Sequence, residues 1–193
     1  MTFIMWAQVG IGFTGALTLL FLYRWIHRRF GTLPSVSLHF SPKGGCTEAV
    51  VAELRKARRE ILMQAYSFSS KPIAQALVDA KTRGVKIEIL FDRSQETETY
   101  SDLALLQEQG LAPMVDAQHA IAHNKIILID SRTIITGSFN FTHQAEAENA
   151  ENLLIMKGHP DLMTLYKKNF AVHKEHSQAP GAVKPAAEHR KAA

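Results

Sequence analysis

Hydrophobic and polar positions fall into two regimes along the chain. From Thr2 to Tyr23 no side chain is charged, and Ile, Leu, Phe, Ala and Gly dominate. From Pro34 onward, short apolar runs are interleaved with stretches whose apolar residues recur every three to four positions. A period of two predicts strands and the longer period predicts helices. Ser35 to Phe40 reads as a strand, ended by the breakers Ser41-Pro42-Lys43-Gly44-Gly45. Thr47 is placed to cap a helix running to about Arg59, with Val50, Val51, Leu54 and Ala57 on one side. Ile61 to Phe68 is a buried strand. Lys71-Pro72 opens a helix to about Arg83, stopped by Gly84, and Val85 to Phe91 forms another strand.

A polar stretch, Asp92 to Tyr100, leads to a short helix through Gln109. Lys125 to Ile129 and Arg132 to Thr136 are two strands joined by a tight turn. Asn152 to Met156 is a last strand. Asp161 to about His173 is a last helix, with Leu162, Leu165, Tyr166 and Phe170 facing inward. Strands interleaved with helices predict an α/β layered domain over residues 34–176. The turn at Asp130-Ser131-Arg132 is too short for a parallel crossover, so the sheet is expected to be mixed. Residues 177–193 hold Pro, Ala, Gly and charge without periodicity and are expected to be disordered.

At about 1.5 Å per residue, the uncharged run just reaches across a hydrocarbon core of about 30 Å. A cleaved signal peptide would begin with basic residues, and none precedes this run. A buried core helix would show a polar stripe. An uncleaved N-terminal membrane anchor over residues 1–30 fits best. Arg24, Arg28 and Arg29 follow the span, which places the domain on the cytoplasmic side.

The formal net charge of +4 shrinks once that segment is set aside. Three of the 22 Lys and Arg residues lie within it and none of the 18 acidic ones, leaving 19 against 18. A near-neutral domain gives no electrostatic argument for a polyanionic partner. Arg55, Lys56, Arg58 and Arg59 cluster, but read more simply as a solvated helix face. The single cysteine, Cys46, cannot form an intrachain disulfide and has no activating base nearby in sequence.

Chemistry concentrates in Ala122-His123-Asn124-Lys125-Ile126-Ile127-Leu128-Ile129-Asp130. On a strand, His123 and Lys125 would point the same way, about 7 Å apart. An ammonium can neutralise phosphate oxygens while an imidazole attacks phosphorus or moves a proton. Further on, Gly137 permits a close backbone approach, and Ser138 and Asn140 offer hydrogen bonds suited to phosphate oxygens. Glu151 supplies a carboxylate able to fix a histidine tautomer.

His123, Lys125 and Asp130 in the order HxKxxxxD, followed by Gly137-Ser138-Phe139-Asn140, resemble the signature of the phospholipase D superfamily. The single copy resembles the bacterial Nuc-type endonucleases and the mitochondrial cardiolipin hydrolase group, over about Pro34 to Phe170. That resemblance implies a mixed sheet flanked by helices on both faces, here preceded by one transmembrane helix. It implies that His123 attacks phosphorus to form a phosphohistidine, while the same residue of a partner subunit protonates the leaving oxygen. Lys125, Ser138 and Asn140 would hold the phosphate, and Glu151 would orient the histidine, with Glu146 or Glu148 as substitutes. Asp130 completes the catalytic signature, although its place at a strand end suits a structural role. One motif per chain implies a homodimer sharing one active site. No metal or other cofactor is expected, since lysines take over charge neutralisation.

His119 and His123 are four apart, but the strand after them argues against a helical metal pair. His119 reads as a loop or groove residue. His143, His159, His173 and His176 read as surface residues, and Tyr66 as core or groove wall. Two substrates stay in play for such a phosphodiesterase: DNA or RNA cleaved with low sequence specificity, or phospholipid headgroups such as those of phosphatidylcholine or cardiolipin. The third class, a non-catalytic binding module, would require a degraded signature.

Overall fold

The computed structural model describes residues 18–23, 33–99 and 101–182. The chain divides into two units, residues 1–33 and residues 34–193. In the first, residues 18–23 are helical. The remainder of the expected anchor and its basic flank lie outside the described residues. Among the described residues no helix is long and apolar enough to cross a membrane.

The second unit is built on one eight-stranded sheet. In chain order its elements are β1 (Ser35–Ser41), α1 (Cys46–Lys56), β2 (Glu60–Ala65), α2 (Lys71–Thr82) and β3 (Lys86–Asp92). A 3-10 turn (Arg93–Glu96), α3 (Leu103–Glu108) and β4 (Met114–Asp116) follow. Then come β5 (Lys125–Ile129), β6 (Thr133–Gly137), α4 (His143–Ala147), β7 (Glu151–Lys157), α5 (Pro160–His176) and β8 (Ser177–Gln178). Their spatial order is β1-β7-β6-β5-β2-β3-β4-β8. Strands β2, β3 and β4 run parallel, and every other neighbouring pair is antiparallel. The sheet is mixed because hairpin turns join β5 to β6, whereas α2 and α3 carry the chain between parallel neighbours.

Both faces of the sheet are covered at its centre, so β5 is a continuous apolar run instead of an alternating one. Ile127 and Ile129 enter the larger core with Ile61, Met63, Ile135, Leu153 and Ile155, under Val50 and Leu54 of α1 and Ile73 and Leu77 of α2. Ile126 and Leu128 face the opposite way, with Leu62, Leu90 and Ile134, under Met163 and Phe170 of α5. The helix α5 turns Met163, Tyr166 and Phe170 inward. Leu162 and Leu165, expected to face inward, are instead exposed. The apolar stripe begins at Met163, and the spacing of three and four from there selects Tyr166 and Phe170.

Three local expectations also shift. The first helix begins one residue before Thr47, on Gly45 at φ 76°, and Thr47 lies within it. Its opening N–H groups are met by Glu146, whose carboxylate accepts from Gly45 N at 3.2 Å and Thr47 N at 2.7 Å. The second strand stops at Ala65, and Phe68 makes only a parallel bridge to Phe141. Ser177 and Gln178, assigned to a disordered tail, form β8 and pair with Asp116 and Val115. Their backbone groups complete an otherwise open sheet edge.

Candidate active site

The functional side chains collect where β2 ends, β5 begins and β6 passes into the turn before α4. Lys125 opens β5 opposite Ala65, buried on the face that Ile127 and Ile129 continue into the larger core. Its Nζ donates to the His123 carbonyl at 2.9 Å and lies 5.1 Å from the centre of the Tyr66 ring. Burial pushes the Lys125 ammonium below the ordinary lysine range, and the negative charge of Glu151 opposes that shift.

His123 is not on the strand, as the sequence pattern suggested. It is exposed, in the irregular segment that precedes β5. What aligns it with Lys125 is Tyr66, whose ring meets the imidazole edge-on, with centroids 4.5 Å apart. Tyr66 is therefore part of the site and not simply wall. Its signal in the sequence was an aromatic with a polar tip one residue past a buried strand end.

The turn after β6 wraps the main chain of β7. The carbonyl of Asn152 accepts from Ser138 N at 3.1 Å and Phe139 N at 3.2 Å. Gly137, at φ 151°, approaches so closely that a Cβ there would sit 2.2 Å from that carbonyl oxygen. Ser138 Oγ accepts from the backbone N and the side-chain Nδ2 of Asn152, at 3.1 and 3.2 Å. Asn152 is thus a supporting residue that sequence reasoning missed. Asn140 is half-buried, and its Oδ1 is enclosed without a hydrogen-bond partner.

Glu151 begins β7 on the same sheet face as Lys125, and accepts from Asn149 Nδ2 at 3.1 Å. Glu146 is committed to the start of α1, so it is not free to replace Glu151. Glu148 is exposed and lines a groove instead. The structure does not bring Asp130 to this site. It lies at the other end of β5, about 16 Å along the strand from Lys125. There its carboxylate accepts from the backbone N–H groups of Arg58, Arg59 and Glu60, at 2.9, 2.7 and 3.0 Å. Asp130 ties the α1–β2 connection to the β5–β6 turn.

Burial first, then the charges of Glu146, Glu48 and Glu151, push the Cys46 thiol up to about 11. It is a packed thiol and no nucleophile. An open groove of about 930 Å³ leads away from Tyr66 and Asn140. Its lining is polar, with Ser69, Lys71, Thr99, Thr142, His143 and Gln144 among the residues, together with the carboxylates Glu98, Asp102 and Glu148.

A second polar cluster lies at the same end of the sheet. Asp116 at the end of β4 is met by His119, His173 and His176, and the four offer ligand atoms within 4.8 Å of one another. His119 therefore pairs with Asp116 and not with His123, and His173 is buried instead of a surface residue.

The structure thus gathers an exposed imidazole, a buried ammonium, the Ser138 hydroxyl and the Asn140 amide at one end of the central strands. Residues 50–174 match the family described as cardiolipin synthase, PLD-like domain. The chain belongs to the phospholipase D superfamily. It is accordingly a phosphodiester hydrolase. It is 42% identical over 145 residues to a phospholipase D of Rickettsia prowazekii, spanning 75% of this chain and 70% of that protein. It is 27% identical over 183 residues to the mitochondrial cardiolipin hydrolase of Xenopus laevis, spanning 84% of this chain and 87% of that one. Among solved structures, the phospholipase D family member Nuc of Salmonella typhimurium superposes with a TM-score of 0.73 at 34% identity. That superposition covers 76% of this chain and 98% of Nuc. The phospholipase D fold thus accounts for the mixed sheet and its helices.

Proposed function

We propose that the protein is a metal-independent phosphodiesterase that works through a covalent phosphohistidine and cleaves nucleic-acid strands. In the first step a ring nitrogen of His123 bonds to phosphorus as the bond to the leaving oxygen breaks. The partner subunit's His123 gives that oxygen its proton. In the second step the same partner imidazole takes a proton from water, whose oxygen displaces His123 from phosphorus. Lys125, Ser138 and Asn140 hold the non-bridging oxygens, and Glu151 supports the charge of the site.

The observation that carries the reading is the placement of an exposed imidazole, His123, and a buried ammonium, Lys125, against the same Tyr66 ring. One imidazole cannot serve as nucleophile and acid on opposite sides of the same phosphorus, which supports a homodimer. A wide groove lined mainly by polar side chains supports a polar strand as the occupant. The uncharged run over Thr2 to Tyr23 supports a membrane anchor, with the catalytic domain on the cytoplasmic side.

A specific observation favours a second reading. Glu98, Asp102 and Glu148 in the groove would repel a polyanion and attract a cationic lipid headgroup. The relatives named phospholipase D agree with that alternative. The purified protein is therefore offered labelled single- and double-stranded nucleic acid, and separately vesicles of phosphatidylcholine or cardiolipin. Nucleic-acid cleavage that disappears in His123→Ala is expected. Headgroup release with intact nucleic acid would move the assignment to lipid. Acid-labile phosphate trapped on His123 during turnover is expected with either substrate, and its absence would reject the covalent mechanism.

A further inference from the structure

We propose that Asp116, His119, His173 and His176 form a binding site for one divalent transition-metal ion, with zinc as the fitting ion. It lies outside the candidate active site and does not depend on the reading of that site's chemistry. Asp116 and His119 are three residues apart across the end of β4, and His173 and His176 are three apart on the last turn of α5. The two pairs come from positions more than fifty residues apart, and the fold closes them on one point.

The four side chains converge closely enough to close on one ion after small shifts. Asp116 Oδ2 lies 2.7 Å from His173 Nδ1, 3.1 Å from His119 Nδ1 and 3.1 Å from His176 Nε2. Bonds of about 2.0–2.1 Å in a tetrahedron around zinc give ligand separations of about 3.3 Å. The three rings surround the carboxylate, with centroids 4.8, 5.2 and 5.5 Å apart. All four ligand atoms lie within 4.8 Å of one another, so small side-chain rotations complete the polyhedron.

Hydrogen bonding alone leaves this cluster incomplete. Three ring nitrogens converge on one carboxylate oxygen, which has two lone pairs in its plane. The third, His176 Nε2, is close to that oxygen but poorly aligned to donate. It is enclosed and has no other hydrogen-bond partner. An ion at the centre would take the lone pairs of all three nitrogens and one from the carboxylate. Three imidazoles and one carboxylate are ligands that suit zinc over magnesium or calcium.

The consequence is mechanical. Such an ion would fasten the end of α5 and β8 to β4, since Ser177 pairs with Asp116. It would also anchor the start of the segment 117–124, whose far end holds His123. The other end is already held by Asp92, whose Oδ2 accepts from Ala122 N at 2.6 Å. Asp116 and Lys125 are three strands apart, about 14 Å. The ion is too far away to touch a phosphate at Lys125, and its role is structural.

The full-length chain, free of any affinity tag and of bound metal, is titrated with Co²⁺ and then with Zn²⁺. We expect one Co²⁺ per chain with the intense visible absorption of a tetrahedral ion, displaced by one equivalent of Zn²⁺, and a higher Tm on loading. His119→Ala is chosen because this side chain is 46% exposed, so its loss leaves the fold intact. It and His176→Ala should each bind at least about tenfold more weakly and lose the tetrahedral spectrum. His143→Ala, outside the cluster, should bind as the parent does. Substoichiometric uptake, an octahedral Co²⁺ spectrum, or undiminished uptake by His119→Ala would overturn the proposal. None of these readouts uses phosphodiesterase activity, so they stand or fall separately from the phosphohistidine mechanism.

Discussion

In the proposed mechanism the ammonium of Lys125 acts on phosphate only while it is charged, and its burial works against that charge. The group loses its proton below the ordinary lysine range, so the alkaline limb of the rate profile should fall below about 10.4. Glu151 opposes the shift, because a nearby carboxylate favours the cation. Glu151→Gln should therefore move the limb to still lower pH, read from the residual rate or from an NMR titration of the Lys125 side chain. An unmoved limb would separate Glu151 from Lys125. Asp130 makes the contrasting case within the same signature. Its carboxylate serves three backbone N–H groups at the far end of β5. Asp130→Ala should cost about 1–3 kcal/mol of stability, seen in urea unfolding, while kcat per folded molecule stays near the parent value. A large loss of kcat at unchanged stability would return Asp130 to the chemistry.

At the scale of elements, α1 is bound to the sheet by a charge as well as by its apolar face. Glu53 is buried and meets Lys157 of β7 at 2.8 Å and Lys56 at 2.7 Å. Burial pushes its carboxyl up, but the hydrogen bonds from Lys157 and Lys56 outweigh that, and the net shift is downward. A carboxyl lowered on folding adds stability above its unfolded pKa, and that stability is lost as pH falls through the folded value. The parent should thus lose stability progressively below about pH 4.3. Glu53→Gln should be about 1–3 kcal/mol weaker at neutral pH and show a flatter acid dependence in thermal melts. The strands and helices legible in the sequence were the long ones. Residues 125–129 and 132–136 declared a hairpin because apolar runs flank a turn too short for anything else. Strands of three and two residues, β4 and β8, and the five-residue α4 carry too few positions for any period to register. They exist because neighbours complete their hydrogen bonds. The residues proposed to hold phosphate were legible through a spaced motif. The His–Asp cluster was not, since two separate pairs meet only once β8 has brought α5 against β4.

At the scale of the whole molecule, the outer strand of the sheet argues for a second copy, since among the described residues nothing pairs with the free side of β1. Helix α5 covers the sheet face at β2, β5 and β6, but the same face continues across β7 and β1. There Val36, Leu38 and Phe40 stand 57%, 51% and 58% exposed on the edge strand. Phe40 pairs with Asn152, the residue that supports Ser138, so this apolar row runs up to the candidate active site. An unpaired apolar edge of this kind invites association. Phe40→Asp should shift the protein toward monomer in sedimentation and lower activity at dilute concentrations. Mixing subunits then tests whether association completes the chemistry. Inactive His123→Ala chains, randomly assorted with an equal amount of parent chains, leave about one dimer in four with two imidazoles. If each phosphate needs both, activity should fall to about one quarter of the all-parent value at equal total protein. A fall to about one half would mean that each subunit works alone, and the acid would have to come from within a single chain.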